Sequence, residues 1–206
     1  MKKRNISKLA ILAGMAILFS SSVMVSSSAR AQSCGGVPDC MSDPWTGPYT
    51  TTVYVDNGCH NGDSCPVLVK YCTRLACSTF HDVEIIWMGY VPSCFCDDTI
   101  FDTEFNKAAN KFLNLNYMGF PCPTCGQGST SAWRFFSAGC STEYYDQTSQ
   151  KYIWEPCNNT GLFCYDTWDI CCTNGVPQKM NERSGFFGDP STCTQQGCNT
   201  SCFHFY

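Results

Sequence analysis

The sequence predicts a mainly β domain of the α+β class: a disulfide-rich antiparallel sheet of short strands with one amphipathic helix, residues 98–118, packed on it. Three observations carry that expectation. All 18 cysteines of the 206-residue chain lie at or beyond Cys34. Segments with two-residue alternation recur beyond that point, and the period changes to 3.6 at one place. Charged residues make up 15% of the chain and aromatic residues 14%, which excludes intrinsic disorder, a state that needs high net charge and few aromatics.

The first element is an address. Residues 1–31 read as a cleaved secretory signal of the bacterial kind. Lys2, Lys3, Arg4 and Lys8 form a basic start, Leu9 to Phe19 an apolar stretch, and Ala29-Arg30-Ala31 a small-residue cleavage site that leaves Gln32 at the N-terminus. Ser20, Ser21 and Ser22 interrupt the apolar run before it reaches spanning length, so no membrane span is expected after cleavage. Ala31-Gln32-Ser33 also lacks the residues that precede a lipidated cysteine.

Residues 32–206 read as a single disulfide-rich domain. Its opening, 32–49, is rich in Gly, Pro and Asp and reads as an N-terminal loop pinned by Cys34 and Cys40. Thr50 to Asp56 is β-branched and aromatic, hence extended, and Asn57-Gly58 is a turn signal. In Cys65–Arg74 the residues Val67, Val69 and Tyr71 alternate with Leu68, Lys70 and Cys72. His81–Tyr90 repeats the pattern, with Val83, Ile85 and Trp87 opposite Asp82 and Glu84, so the two segments are read as antiparallel strands, each buried on one face.

Phe101, Phe105, Ala108, Phe112 and Leu115 then recur at steps of four and three, the stripe of a helix. Asp98 or Thr99 can cap it, Asp102 and Glu104 suit its first turns, and Gly119 with Pro121 gives a stop. Ala132–Tyr145 and Lys151–Glu155 are expected to pair as a hairpin around residues 146–150, with Trp133 and Phe135 facing one way and Tyr152 and Trp154 as cross-strand partners. Leu162–Cys172 is a last strand with Leu162, Cys164, Trp168 and Ile170 on one side. Residues 173–206 read as a turn-rich tail stapled by Cys193, Cys198 and Cys202. Cys65 and Cys72, and likewise Cys157, Cys164 and Cys171, recur at intervals of seven, an odd step that puts the two ends of a strand on opposite faces.

The cysteines themselves admit three chemistries. Cys34, Cys40, Cys59, Cys65, Cys72, Cys77, Cys94, Cys96, Cys122, Cys125, Cys140, Cys157, Cys164, Cys171, Cys172, Cys193, Cys198 and Cys202 are all disulfide candidates, an even set that an oxidising compartment would pair. Adjacent Cys171 and Cys172 should each take a distant partner, because a ring between neighbours is strained. Cys94-Phe95-Cys96 with Cys122-Pro123-Thr124-Cys125 has the make-up of a zinc site, yet Cys94 and Cys96 stand closer than a ligand pair, and His60, His81 and His204 sit in no ligand spacing. No metal and no cofactor is expected. The third chemistry is thiol–disulfide exchange, with Cys122 attacking and Cys125 resolving, although Gly126 to Ser131 continues as a turn where such a site begins a helix.

Other catalytic signatures are absent. There is no G-x-S-x-G, no H-E-x-x-H and no phosphate-cradling loop. Asp97, Asp98, Asp102 and Glu104 cluster where acidic residues complement a helix dipole, and Asp166 and Asp169 read as ordinary strand residues. Removing residues 1–31 takes away five of the 13 basic residues and none of the 17 acidic ones, so the net charge moves from −4 to −9. Such a surface has no footprint for nucleic acid. The sequence therefore points to a secreted protein, extracellular or periplasmic, that binds, adheres or builds structure. Its expected partners are a cell-surface or matrix protein, a glycan, or a second copy of itself. The alternatives are the redox pair, Cys122 and Cys125, and an inhibitor or toxin-like protein presenting a loop between Cys172 and Cys193.

Overall fold

The computed structural model describes residues 34–35, 40, 43–58, 62–96, 101–157 and 161–203. The signal segment, Cys59, His60, Asp97, the cap candidates Asp98 and Thr99, and His204 lie outside the described residues, as does the side chain of Asp102. Strands β1 (Thr46–Asp56), β2 (Ser64–Ala76), β3 (Phe80–Tyr90), β4 (Ser131–Ala138), β5 (Cys140–Asp146), β6 (Lys151–Pro156), β7 (Phe163–Thr173), β8 (Val176–Phe187) and β9 (Asn199–Thr200) form one nine-stranded sheet, with the helix α1 spanning Phe101–Asn114. The chain is a mainly β, disulfide-bonded protein with one α-helix among the described residues. All strand pairs are antiparallel except β3 with β4, which run parallel because α1 lies in the connection between them.

The sheet forks at β3. One edge of β3 carries β2, while the other carries β4 along Phe80–Ile85 and β6 along Met88–Tyr90. Between these stretches Ile86 is an extra residue with no β2 partner, since Lys70 pairs with Trp87 and Tyr71 with Ile85. A bulge bends a strand and switches its alternation. Val83 and Ile85 face the core as expected, but beyond the bulge it is Met88 and Tyr90 that do so, and Trp87 turns to the other face. The sequence reading, which placed Trp87 with Val83 and Ile85, is corrected on this point.

The hairpin expected from Ala132 to Glu155 is likewise redrawn. Residues 132–145 are two strands: β4 pairs with β3 and β7, and only β5 pairs with β6. The break is Gly139, whose N–H donates to the Leu162 carbonyl at 2.9 Å and where a Cβ would stand 2.6 Å from the Leu162 side chain. Tyr152 therefore meets Tyr145 (5.2 Å between ring centroids) and Tyr90 (5.6 Å) rather than Trp133 or Phe135.

Two other boundaries move. The tail expected from residue 173 holds β8, a 12-residue strand joined to β7 by Asn174-Gly175, both left-handed (φ 53° and 80°). The span from Cys172 to Cys193 is thus mostly a hairpin rather than a loop, and those two cysteines belong to different bridges. The helix ends at Asn114, so Leu115 is 54% exposed instead of on the stripe. Asn116, in the left-handed region at φ 47°, closes the exit by accepting from Phe120 N–H at 2.9 Å and donating to its carbonyl at 2.8 Å.

Phe105, Ala108, Ala109 and Phe112 of α1 pack among Val53, Val67, Val69, Val83, Ile85, Trp133, Phe135 and Trp168, all buried. Each large apolar side chain taken fully from water contributes roughly 1.5–3 kcal/mol. Eight disulfides among the described residues reinforce this core: Cys34–Cys72, Cys40–Cys77, Cys65–Cys94, Cys122–Cys172, Cys125–Cys171, Cys140–Cys193, Cys157–Cys198 and Cys164–Cys202. Their cysteines stand between 29 and 53 residues apart. Closing loops of that length constrains the unfolded chain by about 4 kcal/mol each in the chain-entropy model, less where loops overlap. Cys96 is also disulfide-bonded.

Candidate interaction surface

Three places in the fold bring chemistry-bearing side chains together. The first is a buried charged row on the face of the sheet opposite α1. Register aligns Arg74, Asp82 and Arg134 across β2, β3 and β4. Arg74 Nε donates to Asp82 Oδ2 at 2.8 Å, and Arg134 donates through Nε to Oδ1 at 2.6 Å and through Nη2 to Oδ2 at 2.7 Å. The guanidiniums are covered by rings, Arg74 by Trp45 and Arg134 by Phe80. In the next row Glu84 stands beside Cys72, whose bridge to Cys34 brings Gly35 close, and Gly35 N–H donates to Glu84 Oε2 at 3.1 Å. Burial pushes the Glu84 carboxyl up to about 7, with the Gly35 N–H and the Arg74 charge pulling the other way.

Sequence alternation marked Asp82 and Glu84 as the solvent side of β3. They are 0% and 5% exposed: Gly35, next to the bridged Cys34, donates to Glu84, and Cys40 and Trp45 lie against Arg74, which bonds Asp82. With the Arg74, Asp82 and Arg134 side chains 1%, 0% and 8% exposed, this row ties three strands together from within.

The second place is an open cleft of about 690 Å³ where β3 and β4 begin, lined by Thr79, His81, Cys122, Thr130, Ser131 and Asp169 among others. It gathers a hydroxyl, an imidazole and a carboxylate, but not as a relay. Ser131 Oγ accepts from Trp133 Nε1 at 3.2 Å, His81 packs on the Phe120 ring, and Asp169 Oδ2 accepts from Asn181 Nδ2 at 2.7 Å. Register puts Ser131 opposite Ile170 and Ala132 opposite Asp169, so Ser131 and Asp169 point to different faces. Burial holds the His81 imidazole below its usual range, opposed by the Asp82 charge.

The Cys122-Pro123-Thr124-Cys125 segment borders this cleft. It runs extended alongside the end of β7, with Cys172 N–H donating to the Pro123 carbonyl at 2.7 Å and Cys125 N–H to the Cys172 carbonyl at 3.0 Å. Cys122 is bonded to Cys172 and Cys125 to Cys171. As expected, the adjacent cysteines of β7 take separate distant partners. The redox reading took these two cysteines as one exchanging pair; here each is committed to a different bridge, and no helix starts at the motif. The zinc arrangement dissolves in the same way, with Cys94 bonded to Cys65. Cys140, Cys157 and Cys198 have sulfurs within metal-ligating distance of one another, yet all three are in disulfides and offer no thiolate.

The third place is the outward face of the other arm of the fork, where β1, β2, β3, β6 and β5 lie side by side. Paired positions share a face, so Thr52, Leu68, Gly89, Ile153 and Tyr144 form one row, and Thr50, Lys70 and Trp87 the next. The Trp87 indole lies across Gly89, where a Cβ would stand 2.4 Å from its ring; only glycine leaves that room. Lys70 Nζ sits 4.8 Å from the ring centroid, and Tyr144 hydroxyl donates to Glu155 Oε1 at 3.2 Å. Burial and the Glu155 charge push the Tyr144 phenol up to about 12. Tyr54 (53% exposed) and Tyr144 (41%) stand at the two sides of this face.

No family model, curated protein or solved structure matches the chain. The functional reading therefore rests on geometry. The sequence reading named aromatic contact surfaces in general but missed this one, because the bulge at Ile86 moves Trp87 onto it. Trp87-x-Gly89 is the signal that could have found it: a large ring two residues from a glycine shares its face and can fold down over it.

Proposed function

We propose that the protein is an exported, disulfide-stapled contact protein: an adhesive or structural component that binds at a cell surface or matrix and carries out no catalytic step. Its eight bridges fit an oxidising compartment, and no helix among the described residues is long and apolar enough to cross a membrane. Residues 1–31 direct the export and are removed after Ala31.

The observation that carries this reading is the outward face of the β1-β2-β3-β6-β5 arm. Trp87, Tyr54 and Tyr144 supply amphipathic contact area, and Lys70 and Glu155 supply charge-bearing hydrogen-bonding groups around it. Such a face suits a sugar ring or a protein surface. The test is co-sedimentation of the exported protein with intact bacterial cells, cellulose, chitin and peptidoglycan, run beside an insulin-reduction assay. Saturable retention on at least one probe with no reductase activity is expected; no retention together with robust reductase turnover would overturn the reading.

A further inference from the structure

We propose that β1 pairs edge to edge with β1 of a second copy, giving a two-fold symmetric dimer whose sheet is continuous across the axis. The inference deepens the contact reading above and rests on its assembly form. The sheet ends in three strands, and two of them are protected against pairing. β9 is two residues long, and the part of β5 that it leaves uncovered, Thr142–Asp146, carries Glu143 and Asp146. β8 carries Lys179, Glu182 and Arg183, has Pro177 near its start, and is broken by a register shift at left-handed Asn181 (φ 54°). Charges, proline, bulges and shortness are the devices by which edge strands avoid other chains.

β1 lacks them over most of its length. Its register with β2 is unbroken from Tyr49 to Asp56, Pro48 precedes that stretch, and no charged residue occurs before Asp56. Among the described residues no strand pairs with its outer side and no hydrogen bond reaches the backbone there. α1 packs over Val53 and Val55 from one face of the sheet, and Thr50, Thr52 and Tyr54 occupy the opposite face. An unpaired edge leaves every second residue's N–H and C=O without a protein partner.

A second β1 is the occupant that fits. An antiparallel strand presents donors and acceptors that complement its own under a two-fold axis, which is the requirement for an isologous interface. Thr, Val and Tyr are the residues that pack best on cross-strand neighbours. With the axis near Thr52, each Thr50 faces a Tyr54 and the two Asp56 carboxylates fall at opposite ends, so an acidic protein pairs without bringing its acids together. The same pairing joins two Trp87-bearing faces into one surface, which raises avidity for a repetitive target without any new contact.

The test is light scattering of the full chain after export, near 50 µM, with hydrogen exchange across residues 49–55. Twice the mass of one copy is expected, with those amides protected. The double variants Thr50→Lys/Thr52→Lys and Thr50→Glu/Thr52→Glu should each be monomeric with unchanged circular dichroism and no free thiol, and mixing them should restore the doubled mass. A wild-type monomer that still sediments with cells or polysaccharide overturns the dimer and leaves the contact reading standing; a monomer that binds nothing overturns both. A Lys variant that folds and keeps the wild-type mass also overturns the edge assignment.

Discussion

Asp82 and Glu84 show how two carboxylates two residues apart in one strand can do different electrostatic work. Asp82 is enclosed by two guanidiniums, so removing it takes from both buried cations the carboxylate they share. Asp82→Ala should destabilise the fold by about 3–5 kcal/mol, read as a lower guanidinium midpoint with disulfides intact. Glu84 is held with its carboxyl near pH 7, above its ordinary value of 4.5, so the folded state binds its proton more tightly than the unfolded state does. The stability linked to that proton is fully present below pH 4.5, declines between pH 4.5 and 7, and is gone above. Glu84→Gln should match the wild type near pH 4.5 and exceed it at pH 8, by on the order of 3 kcal/mol; equal midpoints at both pH values would show that the carboxyl is not raised. Neither role was legible in the sequence. Alternation identifies a face, but only the bridges Cys34–Cys72 and Cys40–Cys77, whose pairing cannot be read from spacing, bring Gly35 and Cys40 against the side chains of that face.

At the scale of elements, what could be read was what local periodicity encodes. β2, β3, β7 and α1 follow from alternation or from the 3.6 stripe, and Asp56, Asn57 and Gly58 mark a turn. What could not be read depends on distant chain: the bulge at Ile86 arises where β3 passes from β4 to β6, and the break at Gly139 from the approach of Leu162. β8 was hidden for another reason. As a charged, exposed edge strand it has no buried alternation, so it reads as loop. The C-terminal segment depends on its staples: Cys193, Cys198 and Cys202 bond to Cys140, Cys157 and Cys164 around the fork, Ser201 Oγ lies 3.1 Å from Ser141 Oγ, and Phe203 packs on Trp154. Replacing both Cys164 and Cys202 by Ala should speed hydrogen exchange and proteolysis at residues 199–203 while β3 and β4 stay protected. Unchanged exchange in the tail would mean that the remaining staples, Cys157–Cys198 and the packing of Phe203 on Trp154 among them, hold it without this bridge.

For the whole molecule, bridges and core divide the labour. The bridges restrict the unfolded chain, while the core around Trp133, Phe135 and Trp168 fixes the sheet. Quantitative thiol labelling of the denatured protein should find no free thiol among the described cysteines, and peptide mapping should recover Cys122–Cys172 and Cys125–Cys171. A dithiol at Cys122 and Cys125 reducible at thioredoxin strength would favour the redox chemistry instead. The claim on which the functional account turns is that the Trp87 face makes the contact. It is tested most directly by the binding curve of Trp87→Ala against wild type on whichever of the cell, cellulose, chitin and peptidoglycan probes retains the wild type. The account predicts at least a tenfold loss of affinity with the fold and all eight bridges intact; wild-type affinity in a folded Trp87→Ala protein would contradict it.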